Sequence, residues 1–351
     1  MSKLHVRAAF AVAAALLVAA GCGGDDDGGS ATTAGATDSS TEASAADAPA
    51  GGGVLKIADP GNAGAIAYAK REGILEDRLA EVGATVEWGG SYPNSTASFD
   101  AVRAGELNTF GGNTTVTVGY LSVTPNAKVV ALGNEADPTS PPSAGLFVKD
   151  DINTVDDLVG KKIGVNVGGY GEYLLLLGLQ QAGIDPSKVE RVNLQADKAA
   201  AAFVGGSIDG YVAIVNAFQP AVEQGFKLLF SNRDVPDQSV SVVAVTDDLV
   251  NEHPEVVKVY LEVLQELTDQ ARTEPEKFQN VFLTEGPTAV SGDRLTAAIE
   301  LAKHTLAPHK PTPEDIAKFQ HVADVFYEGG AIPEKIDAGT TVVDVDALVG
   351  S

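Results

Sequence analysis

Short apolar segments alternate with helical segments from residue 54 to residue 246, and this alternation restricts the fold more than any other feature of the chain. One helical segment, GILEDRLAEVG (73–83), has its apolar residues at helical spacing. Repeated alternation is typical of α/β domains, in which a mostly parallel sheet is flanked by helices. The predicted strands are VLKIAD (54–59), ATVEW (84–88), LNTFG (107–111), AKVVALG (127–133), AGLFVKD (144–150), KKIGVNV (161–167), VERVNL (189–194), IDGYVAI (208–214), FKLLFSN (226–232) and SVVAVT (241–246).

The alternating pattern restarts near residue 147, which predicts two α/β lobes. Lobe I is expected to comprise residues 54–146 together with 247–351, because the chain is nearly all helical after Pro254 and these helices are expected to pack back on the first unit. Lobe II is expected to comprise residues 147–246. Ligands of open α/β sheets lie beyond the carboxyl ends of the strands. The cleft between the two lobes is therefore the expected site.

The N-terminus has the pattern of an export signal. A basic start is followed by an apolar run, Ala8 to Ala20, that is too short to span a bilayer. The run ends at Cys22, the single cysteine of the chain, and this resembles a bacterial lipoprotein signal. We expect removal of residues 1–21, lipidation of Cys22 and a location on the extracytoplasmic face of the cell membrane; an ordinary export signal is the alternative. Residues 22–53 are acidic and rich in Gly, Ser and Ala, which predicts a disordered tether.

Charge and motifs exclude several classes of protein. The formal net charge is −24, which argues against binding of nucleic-acid phosphates. The glycine-rich turn after residue 167 lacks the third glycine of a dinucleotide fingerprint, since Leu174 occupies that position. No Gly-Lys-Ser/Thr phosphate loop and no Gly-x-Ser-x-Gly elbow occurs, and His304 and His309 are not at metal-binding spacing. We expect neither a catalytic residue nor a cofactor nor a metal.

Four glycine- or hydroxyl-rich segments stand where a predicted strand meets a helix. They are DPGNAG (59–64), GGNTTV (111–116), GGYGEY (168–173) and VNAFQP (215–220). A helix start offers N–H donors and a partial positive charge, so it binds anions without a basic side chain. Each segment alone is typical of a cap or a tight turn. Together they predict an anion site shared by the two lobes.

The chain resembles a known family, the solute-binding lipoproteins of ABC importers for aliphatic sulfonates, taurine and nitrate. The resemblance covers most of residues 54–340 and is carried by TVDDLVGKKIGV (154–165), AAFVGGSIDGYVA (201–213) and VADVFYEGGAIPEKID (322–337). It implies a type II periplasmic binding protein: a monomer, without enzymatic activity, whose lobes close about strands near Val148 and Val243. It also implies a permease partner and, through it, an ATPase subunit.

The resemblance implies ligand contacts at Gly61, Asn62, Asn113, Thr114, Tyr170, Gly171, Glu172, Asn216 and Ser239. Asn113 and Asn216 replace acidic residues that are common in the family, which favours an anionic or neutral ligand. Glu172 has two interpretations: a charge that stabilises its helix, or a partner for an amino group of a zwitterion. The expected solute is therefore small and anionic or zwitterionic, with an aliphatic sulfonate or taurine preferred. Nitrate and a pyrimidine or thiamine precursor remain alternatives.

Two other functions are compatible with the same fold. One is a pyrimidine-precursor synthase-like enzyme, although the His and Cys motifs of such enzymes are not found in this chain. The other is a sensory lipoprotein that passes its signal to a receptor.

Overall fold

The structure, a computed structural model, describes residues 52–92, 95–133 and 141–349. Strands form at nearly all of the predicted apolar segments. The strands of this part of the chain are β1 Val54–Ile57, β2 Thr85–Trp88, β3 Thr109–Asn113, β4 Ala127–Leu132, β5 Ala144–Val148, β6 Lys162–Val165, β7 Glu190–Asn193, β8 Gly210–Ile214, β9 Lys227–Ser231 and β10 Ser241–Thr246.

The helices follow the predicted alternation and dominate the last third of the chain. They are α1 Ala65–Glu72, α2 Ile74–Ala80, α3 Ser95–Arg103, α4 Thr114–Leu121, α5 Tyr170–Gln181, α6 Ala196–Val204, α7 Phe218–Glu223, α8 Asp247–Glu252, α9 Pro254–Thr273, α10 Gly292–His304, α11 Pro313–Glu328, α12 Ala338–Thr341 and α13 Asp346–Val349. A 3₁₀ turn, Val155–Leu158, has a capping box between Thr154 and Asp157. None of the helices described is long and apolar enough to cross a membrane.

The strands form three sheets. β1 pairs with β2 in parallel, β10 lies between β3 and β4, and the third sheet has the order β7-β6-β8-β5-β9. Lys56 and Asn108 exchange hydrogen bonds, so the first two sheets continue one another. We call the first two sheets and their helices the first lobe, and the five-stranded sheet with its helices the second lobe.

Each lobe contains one strand that runs against its neighbours. β10 is antiparallel to both β3 and β4, and β5 is antiparallel to both β8 and β9, whereas β6 is parallel to β7 and β8. The other strands of each sheet therefore share one direction, as the mostly parallel α/β fold requires. β5 and β10 are the first strands after the two crossovers, since the chain changes sheets between residues 132 and 144 and again between residues 231 and 241. The residue numbers assigned to the lobe boundaries stay a prediction.

Helix α5 is buried on all sides and connects the two lobes. Every residue from Gly171 to Leu179 is buried. Leu174, Leu175 and Leu179 pack on the core of the five-stranded sheet, whereas Tyr173, Leu176 and Leu177 pack in the cluster that contains α4 and α11. The uninterrupted apolar sequence of this helix follows from its position, because a helix enclosed by core on both faces needs no polar face.

The C-terminal helices pack on the first lobe, and one of them also contacts the second. α9 lies along α1 and α2, and α11 packs against both α4 and α5. Residues 1–51 lie outside the described residues, and so do the predicted signal sequence, Cys22 and nearly all of the predicted tether.

Candidate ligand-binding site

The start of α4 is fixed to the second crossover of the chain. Asn113 ends β3 and caps α4, because its Oδ1 accepts a hydrogen bond of 2.9 Å from Thr115 N. Thr114 is fully buried, and its backbone N and its Oγ1 each donate to Val240 O at 2.8 Å. The polar groups of Asn113 and Thr114 that the sequence predicts as ligand contacts are thus used largely to hold α4 in place.

The neighbouring residue, Thr115, has a buried hydroxyl without a partner. Its Oγ1 is enclosed and makes no hydrogen bond in the described part of the chain. Most buried polar side-chain atoms are hydrogen-bonded, so an unpaired hydroxyl calls for an explanation. Thr115 precedes Gly119 by four residues, which puts both on the same face of α4. The sequence predicts a ligand contact at Thr114 but none at Thr115.

Gly119 brings α4 into contact with the turn before α5. A Cβ placed on Gly119 would lie 2.7 Å from Gly168 O. The two lobes therefore touch at the face of α4 that carries the unpaired hydroxyl. We call this contact, formed by α4 and the turn of residues 166–172, the interlobe junction.

The turn before α5 depends on glycine for two physical reasons. Gly168 has φ = 73°, a left-handed conformation that favours glycine. Asn166 folds over the turn, and its Oδ1 accepts a hydrogen bond of 3.0 Å from Gly171 N. A Cβ on Gly169 would lie 1.8 Å from Asn166 Nδ2, and one on Gly171 would lie 2.5 Å from Asn166 Oδ1. The glycines thus serve a side-chain cap of α5.

Glu172 has partners for both of its carboxylate oxygens inside the protein. The residue is 2% exposed. Arg191 Nη1 donates to its Oε1 at 2.9 Å, and Gly168 N donates to its Oε2 at 2.7 Å. This arrangement accounts for Glu172 by an ion pair and a bond to the turn, without an amino group from a ligand.

Tyr170 connects α5 to the crossover of residues 232–240. Its hydroxyl donates to Asp237 Oδ2, while Asp237 Oδ1 accepts from Ser239 N at 2.9 Å and from Ser239 Oγ at 2.7 Å. Burial, together with the negative charge of Asp237, raises the pKa of Tyr170 far above its usual range, so the phenol stays a neutral donor. Burial likewise raises the pKa of Tyr173.

The predicted contacts in the first loop belong to a different set of interactions. Asn62 Nδ2 donates to Leu283 O at 2.8 Å and to Thr288 O at 3.3 Å, and Asn62 Oδ1 accepts from Phe282 N and Leu283 N. Asn62 therefore fastens the segment of residues 281–288 to the end of β1. Gly61, beside it, is exposed and has φ = 74°.

Asn216 is not part of the hydrogen-bond network at the interlobe junction. It is exposed and follows Val215, whose φ of 46° is uncommon for a β-branched residue. The bonds described above join Asn113, Thr114, Ser239 and the segment 170–172 into one continuous group. Gly61, Asn62 and Asn216 take no part in that group.

Other parts of the described chain offer weaker sites. A cavity of about 130 Å³ lies between α9 and the segments 308–310 and 344–346. Its lysines, Lys258 and Lys310, both pair with Asp346, so each already has an anionic partner within the chain. Among the described residues, no group of three or more His, Cys, Asp or Glu side chains is arranged to hold a metal ion.

Comparison of the sequence with known families and proteins gives two matches of interest. The family model described as "NMT1/THI5 like" matches residues 108–278. The taurine-binding periplasmic protein of Escherichia coli (strain K12) is 34% identical over 190 residues, which are 51% of this chain. The match spans 55% of the length of that relative, somewhat more than half of it.

Solved structures share the fold of this chain. The periplasmic aliphatic sulphonate binding protein SsuA from Escherichia coli superposes with a TM-score of 0.59 at 20% identity, covering 83% of this chain and 91% of that one. The alkanesulfonate-binding protein SsuA from Xanthomonas axonopodis pv. citri, bound to MOPS, gives a TM-score of 0.58 at 19% identity and covers 83% of this chain and 96% of its own. This likeness confirms the predicted two-lobed α/β fold.

Proposed function

We propose that the chain, whose residues 108–278 match the family model described as "NMT1/THI5 like", is the solute-binding component of an ABC importer. In this proposal the protein captures a small sulfonate between its two lobes and delivers it to a permease, which acts with an ATPase subunit. It is a binding protein and not an enzyme, and it works as a monomer. Lipid attached to Cys22 holds it on the extracytoplasmic face of the membrane.

The unpaired hydroxyl of Thr115 is the observation that supports this site best. A buried donor without a partner is stabilised when a ligand oxygen accepts its hydrogen bond. The hydroxyl lies in the first turn of α4, on the face that meets the start of α5. The start of α5 directly follows the turn that contacts α4, and the positive end of a helix dipole suits an anion. A sulfonate offers three oxygens with one negative charge, so it can accept bonds from both lobes at once.

Acidic residues in and beside the predicted site favour an anion over a zwitterion. Asp59, Glu172 and Asp237 each have a partner within the chain. Asp59 pairs with Lys70 at 3.1 Å, Glu172 pairs with Arg191, and Asp237 accepts bonds from Tyr170 and Ser239. The ammonium group of taurine would have to compete with these partners for the carboxylates. We therefore propose that an aliphatic sulfonate without an amino group is the preferred ligand.

The test is calorimetric titration of the folded chain with a matched series of ligands. Ethanesulfonate is expected to bind at least as tightly as taurine, and ethyl methyl sulfone, which has no charge, is the control expected not to bind. At 100 times its dissociation constant a ligand stabilises the folded state by about 2.7 kcal/mol, so the melting temperature is expected to rise by roughly 5 °C or more.

Other results of the same titration would change the proposal. Tighter binding of taurine than of ethanesulfonate would contradict the preference for a plain anion. Binding of nitrate or of a pyrimidine precursor of thiamine, without binding of any sulfonate, would contradict the proposed ligand class.

A further inference from the structure

Arg191 forms an ion pair that the proposed site does not use directly. It lies on β7, where it is opposite Ile163 of β6, and its side chain is 20% exposed. Its partner Glu172 is 2% exposed, at the start of α5. Burying two charges costs much of the free energy that their attraction returns, so a buried ion pair is a poor source of stability by itself. The pair therefore calls for a different explanation.

The second carboxylate oxygen of Glu172 indicates what the ion pair does. Arg191 holds Oε1 of the carboxylate, and Oε2 accepts the bond from Gly168 N. Gly168 is the residue whose carbonyl oxygen meets α4 at Gly119. The guanidinium of Arg191 thus holds the carboxylate of Glu172, and this carboxylate holds the amide of Gly168. The carbonyl oxygen of Gly168 in turn contacts α4 in the first lobe.

The other side of Arg191 lies near the end of α11. A Cβ placed on Gly330 would lie 4.0 Å from Arg191 Nη2. Gly330 is two residues beyond Glu328, where α11 ends, and α11 packs on both α4 and α5. A cation is favourable beside the C-terminal end of a helix. Arg191 is thus held between the start of α5 and the end of α11.

We infer that Arg191 is a positioning residue of the ligand site. Through Glu172 it keeps the turn of residues 166–172 in the conformation that α4 contacts, and the affinity for ligand depends on it although it does not touch the ligand. This inference rests on the proposed function, because it takes the interlobe junction as the place where the sulfonate binds.

The first measurement is calorimetric titration with ethanesulfonate, well below the melting temperature. Arg191→Met keeps the length of the side chain and removes its charge, and it is expected to weaken binding roughly tenfold, within the range of coupling between contacting residues. Arg191→Lys can still donate one bond to Glu172 and is expected to recover most of the affinity. Glu172→Gln combined with Arg191→Met leaves no unpaired buried charge, so the double variant is expected to bind better than Arg191→Met alone.

A matched control is available on the same strand. Glu190 pairs with Lys162 at 3.3 Å, but both side chains are more than half exposed. Lys162→Met removes an ion pair on β6 and β7 without affecting the turn, and its affinity is expected to equal that of the wild type. If Arg191→Met lowers the melting temperature but binds within twofold of the wild type, Arg191 is merely structural and the inference is wrong.

A second measurement does not depend on the ligand. Amide hydrogen exchange of Gly168 and Gly171 is expected to be at least tenfold faster in Arg191→Met, or in Glu172→Gln should Arg191→Met not fold, and unchanged in Lys162→Met. Unchanged exchange in those variants would overturn the inference. If the wild type binds no sulfonate but exchange responds as expected, the proposed function fails while the positioning of the turn by Arg191 stands.

Discussion

Replacing Gly119 by alanine tests whether α4 closes on the turn before α5 when ligand binds. The added Cβ would lie 2.7 Å from Gly168 O, whereas ordinary van der Waals contact begins at 3.4 Å. α4 and the turn would have to separate by roughly 0.7 Å to relieve this overlap. Overpacking of this size costs about 1–3 kcal/mol.

The same substitution is expected to act in the opposite direction on a ligand-free protein whose lobes have moved apart. Alanine is favoured over glycine inside a helix by about 1 kcal/mol. If the lobes close on the ligand, the steric cost falls on the bound state, while the ligand-free state keeps the helical gain. We expect Gly119→Ala to weaken sulfonate binding by about 5- to 150-fold without lowering the stability of the ligand-free protein.

Calorimetric titration and urea unfolding of the same preparations check both halves of this prediction. Gly111→Ala is the control, because a Cβ there would lie 3.6 Å from the nearest atom, Val242 O, and would fit. Affinity of Gly119→Ala within twofold of the wild type would show that the two lobes do not meet at this point in the bound state. The proposed closure of α4 on the turn before α5 would then be wrong.

Two further predictions concern other parts of the first lobe. Asn62→Ala removes the bonds that fasten residues 281–288, so we expect faster cleavage of that segment in limited proteolysis, with a loss of affinity smaller than that of Gly119→Ala. Burial raises the pKa of Asp315, but hydrogen bonds from Thr312 and His309 outweigh this effect and hold the pKa below its usual value. A lowered pKa stabilises the fold above about pH 4 and the effect is lost at lower pH, so Asp315→Asn should cost about 1–2 kcal/mol in urea unfolding at pH 7 and little at pH 3. Equal losses at both pH values would contradict this origin.

The fold could be predicted largely from the alternation of apolar and helical segments. Local patterns decide whether a segment forms a strand or a helix, whereas the complete burial of residues 171–179 of α5 is seen only in the structure. The reversed direction of β5 and β10 could not be predicted in this way. Strand direction there depends on which sheet the chain enters after each crossover, and no local pattern encodes that choice.

The site could be predicted to the level of segments but not of individual atoms. The glycine-rich turn contacts α4 at Gly119, but the convergence of all four segments on one site stays a prediction. The role of Glu172 depends on Arg191, which is 19 residues away on another element. Likewise, nothing in the sequence separates Thr114, which is bonded to the backbone, from Thr115, which is not, because that difference arises from the tertiary contact of Thr114 with Val240.

The central claim is that a sulfonate binds at the interlobe junction and accepts a hydrogen bond from Thr115. The most direct measurement is calorimetric titration of ethanesulfonate into Thr115→Val, which replaces the unpaired hydroxyl by a methyl group of the same shape. Because the hydroxyl has no partner in the described chain, its removal is expected to leave the ligand-free melting temperature unchanged or higher. Loss of a hydrogen bond to a charged group is expected to weaken binding by about 10- to 150-fold. Wild-type affinity in Thr115→Val would contradict the claim and place the ligand elsewhere.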